Sequence, residues 1–430
     1  MRNLNLLLGV LVIVLACLLT SCIESRESKS QVDAVGSGAV KVGKLLPRGE
    51  AIQYGKEWDY VQNTYAETAG VIAKKPEDSK AKIQLAQLFV KEARVTGEHG
   101  HYYPAALELL DHTIENVADD KDMLFLAMTY KAGVLLSLHE FEKALEVGNK
   151  AALLNPANAQ IHGVLVDANV ELGRYEKAVT LLDRMLQIKP DIRSYSRASY
   201  LREIHGDVDG SIAAMTMAIK AGYPGYEETA WAMLTLGDIY QQYGKFAEAT
   251  KVYDQILAIR PNYPFALEGK AQVMIAQGED KIAEIVLKQA IDIIPEVGYY
   301  MTLAELYKSQ NRIDEVGVLV DEIMLMLEDD TASGHNMNME YAEVYIELAE
   351  DTDKALQYAE KEYAKRPMNI DVNRLMAKAL IAAGEHQKAE RYITAAGVTG
   401  SVHPELTRLR TAAIELLSST NTFSSPTNFM

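Results

Sequence analysis

Two patterns of apolar and polar positions divide the chain. Residues 6–19 form one apolar run with Cys17 its most polar member, preceded by Arg2 and followed by Thr20-Ser21-Cys22. From about residue 123 the apolar positions recur at three- and four-residue spacing, the period that gathers them on one face of a helix. Along this stretch a Gly is followed five residues later by an Ala: Gly173 and Ala178, Gly244 and Ala249, Gly278 and Ala283, Gly384 and Ala389. Prolines keep the same beat. Pro156 and Pro190 are 34 residues apart, as are Pro261 and Pro295, and each lies twelve residues after an alanine (Ala144, Ala178, Ala249, Ala283). Ala355 and Pro367 repeat that interval.

The chemistry of these markers predicts helical hairpins. Gly turns the chain between two antiparallel helices, Ala lets their backbones approach, and Pro stops the second helix because it has no N–H to donate. One such hairpin cannot bury its apolar face alone, so successive hairpins must stack, and stability accumulates over their interfaces. The clearest copy is residues 230–263, with Leu236-Gly237 and Tyr240 in the first helix, Gly244 and Phe246 at the turn, and Ala249, Tyr253 and Pro261 in the second helix and its end. This window resembles the tetratricopeptide repeat family, and weaker copies run at about 125–158, 159–191, 192–229, 264–296, 297–335, 336–369 and 370–403. The resemblance implies an all-α fold, a right-handed α-α superhelix of about eight to nine hairpins closed by a C-terminal capping helix. Ser211 stands where the alanine after the turn belongs, Asn311 replaces a turn glycine, and 329–338 reads as a lengthened loop.

The expected organisation is a leader at 1–21, a flexible tether at 22–46, N-terminal hairpins with one variant repeat at 47–122, the repeat array at 123–403, a capping helix at 404–418 and a disordered tail at 419–430. In the N-terminal part, 54–75, 81–95 and 105–117 read as helices, with 97–104 as a long turn. The leader has the order of parts of a secretory signal. Its apolar stretch is a little short for a bilayer span, and length alone leaves a retained transmembrane helix open. Leu19-Thr20-Ser21-Cys22 resembles the lipobox of bacterial lipoproteins, which implies cleavage before Cys22 and acylation of its thiol; several acyl chains on one residue make a stable anchor. By the same resemblance, Ile23 in place of Asp implies the outer membrane, with the body in the periplasm or at the surface. The tether is polar and rich in Gly and Ser, and its Gly36-Ser37-Gly38 lacks the flanking strand and helix of a phosphate loop.

Composition narrows the partners. A formal charge of −17, from 43 basic and 60 acidic residues, with no basic cluster, argues against nucleic acid and against lying on anionic lipid. With Cys17 in the leader and Cys22 the only other cysteine, no disulfide framework can form in the mature chain.

Sites for chemistry are sparse. His99 and His101, beside Glu98, are the sharpest metal candidates, but no further Cys or His stands at ligand spacing, and a loop packed on the next hairpin is the stronger reading. No His-Glu-x-x-His, Gly-x-Ser-x-Gly or Walker-type motif occurs. Glu340, Glu343, Glu347 and Glu350 have the spacing of a solvated helix face. No cofactor, small-molecule substrate or catalytic residue is therefore expected. Most tyrosines read as hairpin filler, with Tyr200 and Trp231 free to face a groove.

In the family that the repeats resemble, first helices line a concave surface that receives segments of other proteins. Carried over by position, that surface holds Asp167, Glu171, Tyr200, Glu203, Asp238, Gln241, Glu268, Gln272 and Glu305, an acidic set implying a basic or neutral polypeptide partner. The family's carboxylate clamp, a Lys with an Asn four residues on, is missing: Thr129, Gly163, Ser196, Leu234, Glu268 and Met301 hold the early position, and Arg374 is followed by Lys378. The expectation is a membrane-anchored protein-binding scaffold or assembly factor of the cell envelope; the rival is a small-molecule or metal-binding accessory of an envelope enzyme.

Overall fold

The computed structural model describes residues 40–117 and 119–422, with side chains up to residue 413. Cys22, its lipobox and most of the tether lie outside the described residues. The described residues from 42 onward form one compact unit. Its described elements are a short 3-10 turn at Glu50–Ile52 followed by helices only: α1 Lys56–Lys74, α2 Ser79–Thr96, α3 His99–Asn116, α4 Lys121–Ser137, α5 Phe141–Leu154, α6 Ala159–Glu171, α7 Tyr175–Ile188, α8 Ile192–Ile204, α9 Val208–Ala221 and α10 Glu227–Gln242. There follow α11 Phe246–Ile259, α12 Pro264–Ala276, α13 Asp280–Ile293, α14 Val297–Ser309, α15 Ile313–Ala332, α16 Asn338–Glu347, α17 Thr352–Lys365, α18 Ile370–Ala382, α19 His386–Ala396 and α20 Pro404–Thr422. No described helix is long and apolar enough to cross a membrane.

From α2 to α19 the helices pair as nine hairpins among the described residues, with α1 before them and α20 capping the last. The expected solenoid is thus the fold. The marker residues act as the sequence implies. Gly173, Gly244, Gly278 and Gly384 turn between helices with φ of 71°, 72°, 78° and 76°, the left-handed region open to glycine without a Cβ penalty. Ala178, Ala249, Ala283 and Ala389 are fully buried where the two helices of a hairpin meet. Asn311 takes the same left-handed turn at φ 58°, which its short polar side chain tolerates. At Ser211 the missing alanine contact becomes a buried hydrogen bond: Ser199 Oγ donates to the Ser211 carbonyl at 2.8 Å and stands 2.9 Å from its hydroxyl.

Boundaries shift in four places. The long turn expected at 97–104 shrinks to Gly97 and Glu98, because α3 starts at His99 and carries Pro104 inside it, anchored by the buried rings of Tyr102 and Tyr103. The lengthened loop at 329–338 shortens to 333–337, since α15 runs to Ala332 and α16 starts at Asn338. Residues 42–46, counted as tether, are packed: the Leu46 N–H donates to Tyr102 Oη at 3.0 Å, and Tyr65 Oη donates to the Gly43 carbonyl at 3.1 Å. Residues 419–422 continue α20 into the expected tail.

First helices of neighbouring hairpins touch one another directly, as α4 with α6, α10 with α12 and α16 with α18, so they form the inner wall of the coil. The coil also closes on itself. Arg366 Nη1 donates to Glu171 at 2.5 Å across 195 residues, and the Ile370 N–H donates to Tyr175 Oη at 2.8 Å across the same interval. His139 and the Asn336 carbonyl are in contact across 197 residues, and Thr399 Oγ1 donates to the Ile204 carbonyl across 195. Arg260 Nη1 reaches Glu57 at 3.0 Å across 203. A constant offset near 195 residues means that one superhelical turn lies on the next along a seam, and the inner wall becomes a bore.

Candidate functional site

The bore is built by first helices that each contribute one or two polar side chains, steered there by small residues behind them. Tyr253, on the second helix α11, shows how. Its ring lies where a Cβ on Gly237 would be 2.4 Å from Cε1 and a Cβ on Gly269 2.6 Å from Cζ, so two glycines open the passage between α10 and α12. Through it the Tyr253 hydroxyl donates to Asp238 at 2.8 Å and contacts Gln241 Oε1 at 2.9 Å. Gln241 bonds Gln272, Gln272 bonds Glu268, and Thr302 Oγ1 donates to Glu268 at 3.0 Å. One network therefore ties α10, α11, α12 and α14 together on the bore side.

The nine positions carried over from the sequence sit on the first helices α6, α8, α10, α12 and α14, and their electrostatics differ from one to the next. Asp167 receives Arg197 through two nitrogens, at 2.8 and 2.5 Å. Glu171 is met by Arg366 across the seam at 2.5 Å. Burial still outweighs the guanidinium at Glu171 and raises its carboxyl to about 7. Glu203 accepts from Tyr243 Oη at 2.5 Å and Gln242 at 3.1 Å; burial raises its pKa. Tyr200 is 40% exposed, yet the protein around it lifts its hydroxyl well above the usual value, as expected inside a narrow channel.

Asp238, Glu268 and Glu305 have no cation within 4 Å among the described residues. Loss of water raises Asp238 to about 6, against the Tyr253 hydrogen bond. Glu268 rises to about 7, again chiefly by desolvation, with Asp238 and Glu305 adding repulsion. Glu305 also rises, through desolvation and then the field of Glu347, only partly offset by Lys378. Further along, Lys378 is ringed by Glu343, Glu347 and Glu405 at 2.5, 2.9 and 3.3 Å, and Arg374 holds Glu405 at 2.7 Å. A cleft of about 390 Å³ opens there. Glu343 and Glu347 are thus wall residues and not the solvated face their spacing suggested; only Glu350, in a left-handed turn and paired with Lys308, is fully outside. Sequence reading missed Arg197 and Arg366 and noted Arg374 and Lys378 only as breaking the carboxylate clamp, since the wall partners of all four lie one hairpin or one full turn away.

The two histidines of the metal hypothesis part company. Two residues apart on a helix, they face different neighbours. His101 Nε2 meets the Lys44 carbonyl at 2.8 Å. His99 stacks on Tyr103 at 5.4 Å and lies 5.6 Å from His335, which is 6.3 Å from His139. Burial, followed by the charge of neighbouring His139, holds His99 down at about 4, and burial with His99 does the same to His335. Among the described residues no group of three or more His, Cys, Asp or Glu side chains is placed to hold a metal ion. Trp231 is 41% exposed; it packs edge-on against Phe265 at 5.6 Å, with the Arg94 guanidinium 5.7 Å from its ring centroid.

Comparison with known proteins bears on the same hairpins. Sequence models of the tetratricopeptide repeat match residues 135–202 and 232–263. Over those two stretches the chain is similar to tetratricopeptide repeats. The second matched repeat is the α10–α11 hairpin that supplies Asp238, Gln241 and Tyr253 to the bore, and the first includes Asp167, Glu171 and Tyr200. No curated protein matches the chain at a significant level. Among solved structures, a thermophilic tetratricopeptide repeat protein of Thermus thermophilus is 20% identical with a TM-score of 0.40, covering 46% of this chain and 99% of its own. The Cut9–Hcn1 hetero-tetramer of APC/C gives 16% identity and a TM-score of 0.48 over 76% of this chain and 61% of that one. The human IFIT1 dimer with PPP-AAAA gives 10% and 0.44 over 78% and 90%.

Proposed function

We propose that this protein is a tethered interaction scaffold of the bacterial cell envelope, which holds partner polypeptides along the repeat bore and catalyses no reaction of its own. The observation that carries the reading is the wall itself. Successive first helices α6, α8, α10, α12 and α14 each bring polar side chains to the inner wall, with Tyr200, Asp238 and Glu305 exposed there. Repeat arrays of this kind bind by presenting extended concave surfaces. For the anchor, the support lies in Leu19-Thr20-Ser21-Cys22 following an apolar run of signal length, and Ile23 favours the outer membrane.

Two experiments test the two halves. A photo-reactive amino acid at Gln272, in the bore, should cross-link a discrete polypeptide in intact cells, whereas the same group at Ile285, 68% exposed on a second helix, should not. Equal labelling from both positions would remove the bore from the reading. Replacing Cys22 with Ser should release the chain from the membrane fraction and abolish labelling by radioactive fatty acid; unchanged membrane association would refute the anchor.

A further inference from the structure

We propose that the bore holds an extended basic segment of a partner polypeptide, its Lys or Arg side chains paired one to a repeat with Asp238, Glu268 and Glu305. This rests on reading the bore as the partner-binding wall. The argument is a contrast within one ring. On one side, Asp167 has Arg197 and Glu171 has Arg366; on the other, Glu343, Glu347 and Glu405 share Lys378 and Arg374. Between them, Glu203 on α8 is buried under Tyr243 and Gln242, and three further consecutive inner helices, α10, α12 and α14, each offer an accessible carboxylate whose close partners carry no charge: Tyr253 at Asp238, Thr302 and Gln272 at Glu268. Glu305 has Lys308 and Lys378 only in its wider field, together with Glu343 and Glu347. Asp238 and Glu305 are exposed and Glu268 is half-buried, so all three can be reached by a partner, and the chain supplies cations at the flanking positions but not here.

Two further observations point to a ligand beside this strip. The hydroxyl of Tyr299, on α14, is 4% exposed with no hydrogen-bond partner, and it lies in the field of Glu296 and Glu268. Trp231, at the start of the strip on α10, is 41% exposed, and its ring already receives one guanidinium, that of this chain's own Arg94, 5.7 Å from its centroid. Acidic oxygens, an idle hydroxyl and an exposed indole together recognise arginine through charge, hydrogen bonding and cation–π attraction.

Geometry sets the spacing. Packed helices stand about 8–10 Å apart, and a segment in the polyproline-II conformation advances about 3.1 Å per residue with three residues per turn, so every third side chain lies on one face and meets the next carboxylate. A fluorescein-labelled peptide of about twelve residues with Arg at every third position and Ser or Ala between is therefore the probe. It is titrated against the full chain in detergent and read by anisotropy. Glu268→Gln and Asp238→Asn should each weaken binding by about tenfold, as should citrulline in place of Arg, while Glu279→Gln on the exposed turn should change nothing. Binding should also fade between pH of about 8 and about 6, well above the range in which ordinary carboxylates lose charge, as Glu268 and Asp238 take up protons amid Tyr253, Gln241, Gln272 and Thr302. Equal binding of the citrulline peptide, insensitivity to both bore variants, or spermidine competing as strongly as the peptide at equal charge would overturn the proposal. The citrulline arm needs no protein variant and so survives any folding defect. If Gln272 cross-links a polypeptide while the arginine peptide shows no charge preference, the basic segment falls and the scaffold stands; if neither binds, both fall.

Discussion

Replacing Gly173 with Ala is the sharpest test of whether the coil closes on itself. Gly173 has φ 71°, and a Cβ there would lie 2.3 Å from the carbonyl carbon and oxygen of Met368, backbone atoms in the next superhelical turn. Gly244 occupies the same turn position at φ 72°, with nothing within 4 Å of its would-be Cβ. Both substitutions carry the left-handed cost of a non-glycine residue, about 1–2 kcal/mol. Only Gly173→Ala must also push the seam apart or overpack it, about 1–3 kcal/mol more, because three nearby contacts hold that seam shut: Arg366 with Glu171 at 2.5 Å, Asn369 Nδ2 to the Glu171 carbonyl at 3.0 Å and the Ile370 N–H to Tyr175 Oη at 2.8 Å. Repeat arrays need not unfold in one step, so the readout is the midpoint of the first urea transition, followed by circular dichroism. Gly173→Ala should unfold clearly earlier than Gly244→Ala. Gly206→Ala, whose Cβ would lie 2.7 Å from the Gly400 carbonyl, should side with Gly173→Ala. Equal midpoints for Gly173→Ala and Gly244→Ala would show that the turns are not in contact in solution.

Other substitutions address the hairpins and the wall. Ala249→Leu, at a fully buried helix–helix contact, should overpack its hairpin and lower stability by about 1–3 kcal/mol in the same urea assay. Tyr253→Phe keeps the ring between Gly237 and Gly269 but removes its bonds to Asp238 and Gln241; a loss of about 1–2 kcal/mol is expected, and none at all would mean that water replaces the hydroxyl without cost. Arg366→Met strips the guanidinium from the fully buried Glu362, at 2.5 Å, as well as from Glu171, and should cost about 3–5 kcal/mol. Glu268→Gln should do the opposite. A folded-state pKa near 7 against an ordinary 4.5 means the wild type loses stability as pH rises through that window. The variant should therefore be more stable at pH of about 8, by at most about 3 kcal/mol, with the gain gone below pH of about 4.5. A thermal-melt pH series would expose a wrong sign at once.

What could be read from the chain, and what could not, follows the range of the forces. Glycine turns, buried alanines and terminating prolines act within one hairpin, so a 34-residue beat suffices to place α4 to α19, and even Asn311 in a glycine's place reads correctly because its left-handed turn is local. The seam is set by contacts about 195 residues apart, such as Arg366 with Glu171, and no local period encodes which arginine will cross it. The same limit governs the wall. Alignment by position finds Asp238, Glu268 and Glu305 because repeats share their geometry, but whether a wall carboxylate is neutralised depends on a neighbouring hairpin or the facing turn. Arg197, Lys378 and Arg374 supply that charge at the flanks. Glu343 and Glu347 look like a solvated face in sequence because their spacing is that of any amphipathic helix, and only the approach of Lys378 turns them inward. The unneutralised middle is therefore information that sequence periodicity cannot carry. It appears once the coil is closed, when Asp167, Glu171, Glu343, Glu347 and Glu405 have found their cations, Glu203 is buried under Tyr243 and Gln242, and these three stand accessible without one.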